Sequence, residues 1–574
     1  MSSVIRQVTD TIGITSPKII HKSKKPNVEI PRCNVIEYTF SNRDKVPDSK
    51  VLIVDGHTGR ETSRAQLVSR AKQVAWSLRN GLNRDEDDVV CLFSPNSDTY
   101  QIIVCGILAA GLIITPSNAM YGPDELEHQL METGSITIFV HPDLIETALK
   151  TLESIGWTEE QVKDRIILAV YGSDVGDDVR RRGFKTLNDL LTGNEMEPVT
   201  VKDPFERVAV MSFSSGTTGK AKAVQNTHRN MVGVQQICQA LEIGGPEAVH
   251  LAVLPMSHIY AFAHNVLLPI SRGQAIVVIP RFDPVKFLTL VQRYHCTCLW
   301  IVPPIALLLA RDPRCAKFDL SHVRFVMSGA APLGADLQKE VNNKFPNGFA
   351  TQGYGLSEMS PVSHYCPNPN KNGKFGSIGQ LLPNIEARLV DPVTGKDIAG
   401  RGPDNAGEIW LRGPTRMKGY LKRPKETAET IVDGGWLRTG DVAYLDADDF
   451  WYISDRMKEL IKYKGFPVPP AELEALLLTH PKVNDVAVIG VYSEAEVTEL
   501  PRAYVVLAPG AESDDVQALE KEIQQWTASK VAKHKLLRGG VRFVKVIPKS
   551  PSGKILRRIL RDEAKAESTI KAKL

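Results

Sequence analysis

Apolar positions along the chain switch between two periods. Short runs of strand length recur at Asp88–Phe93, Leu112–Pro116, Ile136–Val140, Ala275–Ile279, Cys298–Val302 and Val323–Met327. Between them, spacings of three and four predict helices over Arg64–Leu82, Tyr100–Gly111, Glu125–Thr133, Asp143–Glu153 and Pro284–Tyr294. In the first of these, Leu67, Ala71, Val74 and Leu78 share one face. Thr227 stands as the cap of a further helix running to about Leu241. Strands alternating with amphipathic helices predict an α/β domain with largely parallel sheets.

The pattern differs at both ends. Residues 1–50 are polar and irregular, with one predicted strand at Val35–Phe40. Leu52–Val54 followed by Gly56-His-Thr-Gly59 reads as a hairpin. From Gly376 to Tyr452 helical spacing vanishes, and short β-type segments remain: Glu386–Asp391, Glu408–Arg412 and Trp451–Ser454. Beyond Asp455 a compact α+β unit follows. It has helices at Pro470–Thr479 and after a Ser513 cap, strands at Asp485–Val491 and Arg542–Ile547, and a last helix carrying Ile555, Leu556, Ile559 and Leu560. The expected division is therefore 1–50 as an extension, 51–455 as a large domain, 456–458 as a joint, 459–565 as a second domain and 566–574 as a tail. The large domain should hold two parallel-type α/β subdomains and a small β-rich one.

Composition narrows this picture. At 574 residues the chain exceeds one ordinary core. A formal charge of +4 points to neither nucleic acid nor a membrane surface, and apolar runs of about a dozen residues are too short to span a bilayer. Eight cysteines lie scattered, and the Cys296/Cys298 spacing fits neither a zinc nor a redox motif, so reduced core thiols are expected. The tail ends in Ala572-Lys573-Leu574, a variant of the Ser-Lys-Leu peroxisomal address, whose partner would be the peroxisomal import receptor; the alternative is a chance basic tail and a cytoplasmic protein.

The chemistry centres on Met211-Ser-Phe-Ser-Ser-Gly-Thr-Thr-Gly-Lys-Ala-Lys222. A buried strand breaks here into a loop where Gly216 and Gly219 permit tight turns and backbone N–H groups can converge on an anion. Ser214, Ser215, Thr217 and Thr218 add hydroxyl donors, and Lys220 and Lys222 add charge. The loop reads as a phosphate cradle, against the bland alternative of a flexible surface loop. It is not the nucleotide-hydrolase P-loop, because only two residues separate its glycines.

Five further motifs follow in order: Pro255-Met-Ser-His-Ile-Tyr260, Gln352-Gly-Tyr-Gly-Leu-Ser-Glu358, Trp436-Leu-Arg-Thr-Gly-Asp441, Asp455-Arg-Met-Lys-Glu-Leu-Ile-Lys-Tyr-Lys-Gly465 and Pro548-Lys-Ser-Pro-Ser-Gly-Lys554. With the loop, this set resembles the acyl-adenylate-forming enzymes, nearest the 4-coumarate–CoA ligase, luciferase and acyl-CoA synthetase branch. The resemblance implies a mobile C-terminal domain and two half-reactions: a carboxylate attacks ATP to give an acyl-adenylate, then coenzyme A displaces AMP. It also implies roles. Glu358 would bind Mg²⁺ and Ser357 contact phosphate, as Thr does in most relatives. Gln352, Gly353 and Tyr354 would meet the nucleotide, Tyr354 by stacking on adenine; Asp441 would take the ribose diol, and Arg456 the ribose or a phosphate. Lys554 would steady the adenylation transition state, and Lys458 would mark the hinge. Lys462 would serve the nucleotide and the thioester step, with Arg281, Lys464 and Gly465 at coenzyme A. His258 would order the carboxylate or guard the site, and Tyr260, His264, Ala330, Gly353 and Val362 would line the acyl pocket. Two departures stand out. Pro467 replaces a common Gln and removes an amide donor, and His264 replaces a small residue.

The expected function is an ATP- and Mg²⁺-dependent acid–CoA ligase for an aryl, arylalkanoic or medium-chain fatty acid. The alternatives are adenylation for another acceptor (a carrier protein or O₂) and a non-catalytic nucleotide binder.

Overall fold

The structure is a computed structural model that describes residues 18–214, 221–241, 243–464, 466–494, 496–512, 515–550 and 553–571, the last four by backbone alone. Three sheets build the large unit. The first has eight strands, in the order Gly419–Tyr420, Lys222–Thr227, Val208–Ser214, Ile113–Ser117, Val89–Phe93, Thr137–Val140, Ile166–Leu168 and Lys185–Thr186. Its inner pairings from Val208–Ser214 onward are parallel; Lys222–Thr227 and Gly419–Tyr420 add to one edge antiparallel. The second has nine strands. Parallel strands Val51–Asp55, Ala275–Val278, Val249–Ala252, Cys298–Ile301, Phe325–Ser328 and Phe349–Gly355 lie between antiparallel edges. The expected largely parallel α/β organisation is thus present, and its antiparallel edges are what the apolar runs did not distinguish.

Helix Tyr100–Ala109 is buried at every position. A helix apolar on nearly every side belongs inside a protein rather than on its face, and its one amide, Gln101, is buried with it. It packs on Arg64–Trp76 so closely that a Cβ at Gly106 would stand 2.5 Å from Val74 Cγ1. Thr227 caps His228–Ile237 as expected, its side chain accepting the Asn230 N–H.

Two segments correct the sequence reading. Val35–Phe40 is a helix, not a strand. Asn34 caps it by accepting the Ile36 N–H, and Val35, Ile36, Tyr38 and Thr39 are all buried, so the segment has no alternating face to pair as a strand. Pro424–Thr430 is a helix inside the stretch expected to be purely β. It buries no residue, so it leaves no apolar period to read. That stretch otherwise forms the third sheet, of six strands, including Glu386–Val390, Gly407–Arg412, Trp436–Leu445 and Trp451–Arg456. From residue 18 to 50 the described segment is tied to the large unit: His21–Lys22 pairs with Glu386–Ala387, and Asn34 Nδ2 donates to the carbonyls of Leu108 and Val199.

After Arg456 a smaller α+β unit follows, with its own core of Ile461, Leu473, Val486, Val488, Val505 and Ile523. Val483–Ser493 and Thr498–Leu507 form a long hairpin, and Val541–Phe543 adds parallel to it. That last strand ends short of the expected Ile547. The Val516–Ala528 helix is capped by Asp515; the Ser513 expected as its cap lies outside the described residues. The final helix is Arg557–Lys571, so Ile555 and Leu556 precede it. All eight cysteines are free thiols, seven of them buried. No helix among the described residues is long and apolar enough to cross a membrane.

Candidate active site

The cleft residues come from strand ends, where parallel sheets present their loops. Val208–Ser214 delivers Ser214; Phe349–Gly355 delivers Gln352, Gly353 and Tyr354; the short turn Ser357–Met359 carries Glu358. Asp441 and Arg456 face each other as a register pair of two antiparallel strands. The Lys554 loop comes from the small unit. It is closed by the Ser550 N–H to the Lys554 carbonyl and by the Lys554 N–H to Ser550 Oγ. Gly553, at φ +79°, lets this loop come down on Val302 and Pro304 of the large unit. A Cβ there would be 3.1 Å from Val302.

These elements assemble a compact charge cluster. Asp441 is buried; its Oδ2 accepts the Tyr354 hydroxyl at 2.6 Å and its Oδ1 pairs with Arg456 Nε at 3.2 Å. Burial raises its pKa, opposed by Arg456 and by the Tyr354 hydrogen bond. Lys554 stands within the fields of Arg456, Glu358, Asp441 and Glu459. Burial first, then the Arg456 charge, lowers its pKa, and the three carboxylates oppose this. His258 caps the turn Ile259–Ala261 by accepting the Tyr260 N–H at Nδ1, which leaves the proton on Nε2. Burial and the nearby Lys554 ammonium push it down to about 3, so its ring is neutral at physiological pH.

Glu358 is held from three directions. Its Oε1 accepts the Tyr420 hydroxyl at 2.8 Å and the Ser214 hydroxyl at 3.2 Å, while its carbonyl accepts the Met417 N–H. Asn226 donates to the Ser357 carbonyl and to Ser360 Oγ, fixing the turn from beneath. Among the described residues no group of three or more His, Cys, Asp or Glu could hold a metal ion. One ordered carboxylate fits a cation held mainly by substrate phosphates, which is how Mg²⁺ is usually bound.

The remaining expected residues divide. Tyr354 lies edge-on to His364 with its hydroxyl on Asp441. Gln352 turns its side chain to the scaffold, accepting the Leu333 N–H and donating to Gln338, and its carbonyl accepts the Cys366 N–H. Gly353 has Met327 Sδ 2.9 Å from where a Cβ would sit. Tyr260 is buried and donates to the Met327 carbonyl; Val362 is buried, and Ala330 holds φ +70°. His264 is buried with both nitrogens engaged: Nδ1–H donates to the Tyr260 carbonyl and Nε2 meets Cys238 Sγ. Its ring lies 4.3 Å from that of Trp300, a partner with no motif to mark it.

Lys462 and Lys464 are not in the cluster. They stand exposed on the Ile461–Val468 hairpin, Lys464 paired with Glu496. Lys458 is exposed in the turn after Arg456, and Arg281 is exposed near His141. Lys222 has its ammonium 4.9 Å above the Tyr420 ring. Ser215, Gly216, Thr217, Thr218, Gly219, Lys220 and Gly465 lie outside the described residues. Tyr420, Asn226 and Glu459 are site neighbours that sequence reasoning missed; Tyr420 and Asn226 reach the site through long-range strand packing, and Glu459 through the turn that follows Arg456.

Comparison with known proteins places this geometry. Residues 40–421 match the AMP-binding enzyme family and residues 472–554 the AMP-binding enzyme C-terminal domain. The chain is 37% identical to the probable 4-coumarate–CoA ligase 1 of Dictyostelium discoideum, over 94% of this chain and 97% of that protein. It is 34% identical to the peroxisomal OPC-8:0-CoA ligase 1 of Arabidopsis thaliana, over 96% and 98%. The fold is similar to that of ATP-bound MatB from Rhodopseudomonas palustris, with TM-score 0.77, 25% identity and coverage of 92% and 98%. With both family domains in order and a relative this similar along nearly its whole length, the chain belongs to the AMP-binding enzyme family and is an adenylate-forming enzyme of the acid–CoA ligase type.

Proposed function

We propose that this chain joins a hydrophobic carboxylic acid to coenzyme A through an acyl-adenylate, with an aryl or arylalkanoic acid favoured over a medium-chain fatty acid. The observation that carries this reading is Lys554: a loop of the small unit brings an ammonium among Glu358, Asp441 and Arg456 of the large unit. That is where two anions, a carboxylate and a polyphosphate, have to be brought together.

In the first half-reaction the acid's oxygen bonds to the α-phosphorus while the bond to the β-phosphate bridge breaks, releasing pyrophosphate. The loop from Ser214 to Lys222 cradles the phosphates with N–H, hydroxyl and lysine donors. Asp441 takes the ribose hydroxyls; a carboxylate has about four acceptor positions, so Tyr354 and Arg456 leave room for them. Lys554 donates to the α-phosphate and the acid as charge develops, and His258 offers Nε2–H to the acid. Glu358 would hold Mg²⁺, which when bound supplies Lewis-acid neutralisation of phosphate charge. Tyr260, His264, Ala330, Gly353 and Val362 line the acyl side. In the second half-reaction the coenzyme A thiolate attacks the acyl carbon and AMP leaves. The joint at 456–458, centred on Lys458, turns the small unit so that Lys462, Lys464 and Gly465 replace Lys554, and Arg281 meets coenzyme A phosphate.

The test is pyrophosphate release with ATP, Mg²⁺ and coenzyme A over cinnamic, phenylacetic and benzoic acids and fatty acids of graded length. Aryl-dependent release with matching coenzyme A consumption is expected. An optimum in chain length would make the substrate a fatty acid. Release without coenzyme A consumption would mean another acceptor, and no release with any acid would overturn the ligase reading.

Location in the peroxisome is supported by Ala572-Lys573-Leu574 and by the Arabidopsis relative named above. Deleting Leu574 from an N-terminally tagged protein is expected to leave it cytosolic. Continued peroxisomal import would remove the assignment to this tripeptide.

A further inference from the structure

Glu358 is the one carboxylate of the proposed phosphate end of the cleft, and its two oxygens differ. Oε1 accepts two hydrogen bonds, from Tyr420 and Ser214. Oε2 accepts none from any described residue. A carboxylate on a short turn can spin about its last bond, because that torsion is broad. Two donors on one oxygen remove that freedom and leave the other oxygen's lone pairs without a donor among the described residues. A hydroxyl bonded to a charged group is among the stronger neutral-to-ion contacts.

Tyr420 is itself fixed. Its strand Gly419–Tyr420 pairs with Val224 and Gln225 of the strand that begins at Lys222. Its N–H donates to Thr427 Oγ1 at 2.9 Å, and the Lys222 ammonium sits over its ring. Ser214 is the register partner of Lys222 on the neighbouring strand. The same segment supplies the Met417 N–H to the Glu358 backbone carbonyl at 2.8 Å. One edge of the eight-stranded sheet therefore grips Glu358 by backbone and by side chain.

We propose that Tyr420 is a positioning residue for metal-dependent nucleotide binding: its hydroxyl, with that of Ser214, pins Glu358 Oε1 so that Oε2 meets a divalent cation carried by ATP. This rests on the reading of Glu358 as the Mg²⁺ residue. The role is distinct from touching substrate; Tyr420 acts through Glu358. It also explains why Lys222 matters beyond its charge, since its ammonium steadies the ring that does the holding.

The test reads binding rather than turnover. Equilibrium binding of labelled ATP to the full-length protein is followed while Mg²⁺ is titrated, for wild type, Tyr420→Phe, Ser214→Ala and Glu358→Gln. Phenylalanine keeps the ring and its lysine contact, and an unchanged thermal midpoint checks the fold. Tyr420→Phe is expected to raise the half-saturating Mg²⁺ about ten- to thirtyfold, the lower part of what one hydrogen bond to a charged group commands, with metal-free ATP binding unchanged. Ser214→Ala should shift it less, because its contact is longer. Glu358→Gln should abolish the Mg²⁺ dependence. If Glu358→Gln shifts the titration and Tyr420→Phe overlays wild type, the Tyr420 proposal is wrong while Glu358 keeps its role. If Glu358→Gln itself overlays wild type, the Glu358 reading fails and the Tyr420 role falls with it.

Discussion

Replacing Lys554 by Ala is expected to slow acyl-adenylate formation about a thousandfold while leaving conversion of preformed acyl-AMP to thioester within about threefold of wild type. The size follows from removing one aimed donor at developing charge, on the order of 3–4 kcal/mol in a site that excludes water. The selectivity follows from the proposed turn of the small unit. Lys554 sits with Glu358, Asp441 and Arg456, whereas Lys462 stands exposed on its hairpin, its backbone N–H on Glu499 and its carbonyl on Thr498. Only one of the two lysines can serve the cluster in this arrangement. Lys462→Ala should therefore show the opposite bias, sparing pyrophosphate release and slowing the thioester step. Single-turnover assays of each half-reaction separate the two. Equal losses in both half-reactions for both variants would exclude the exchange of lysines. Pro467, the register partner of Lys462, adds no N–H to that hairpin, so the second step is where its effect would be read.

How much of this was legible beforehand depends on the range over which each contact acts. The parallel strands and their helices were readable because each buries a run or a stripe, and burial leaves a period. Val35–Phe40 escaped because a six-residue helix buried on most sides has neither a helical stripe nor strand alternation. Pro424–Thr430 escaped for the opposite reason, since nothing in it is buried. At the site, motif residues were legible one by one, but their partners were not. Asp441 and Arg456 were read as separate ligands of the nucleotide; the structure makes them a cross-strand pair with Tyr354 completing it. Tyr420 lies 62 residues from the glutamate it holds, in a segment without any period of its own. His264 was expected to line a pocket, and its contact with Trp300 and Cys238 depends on helix-to-sheet packing that no local pattern encodes. Gln352 shows the converse: a motif position whose side chain serves the scaffold.

The same burial that builds the site should make the large unit acid-labile, with its thermal midpoint lower by up to roughly 5 °C at pH 5.5 than at pH 7.5 for an expected loss of at most about 5 kcal/mol. Five histidines are held neutral. Burial is the first cause in each and lowers His228, His258 and His364 to about 3 and His250 and His264 to about 4. Their neutral rings are already committed: His250 bridges Trp300 Nε1 and Gln274 Oε1, and His228 Nδ1 accepts the Val35 N–H. An unfolded histidine takes a proton near pH 6.5, the folded ring does not, and so the unfolded state binds more protons between those values. Stability from these groups is nearly full at pH 7.5 and is lost as pH falls through 6.5, about 1.4 kcal/mol for each ring by pH 5.5. Asp455 acts in the other direction. Burial raises it to about 7, so the folded state gains a proton on it before the unfolded state does, returning roughly 2 kcal/mol over the same interval. Asp441, also raised by burial, acts with Asp455, and five rings against these two carboxyls leave a net loss on the acid side. His364 carries the sharpest check, because its Nε2 is buried without a hydrogen-bond partner among the described residues and its ring has most to lose by charging. His364→Asn should reduce the shift between pH 7.5 and 5.5 by at least about a quarter, because one ring is removed and the opposing carboxyls are not. A midpoint that stays level across that range would mean these rings take up protons within the folded protein.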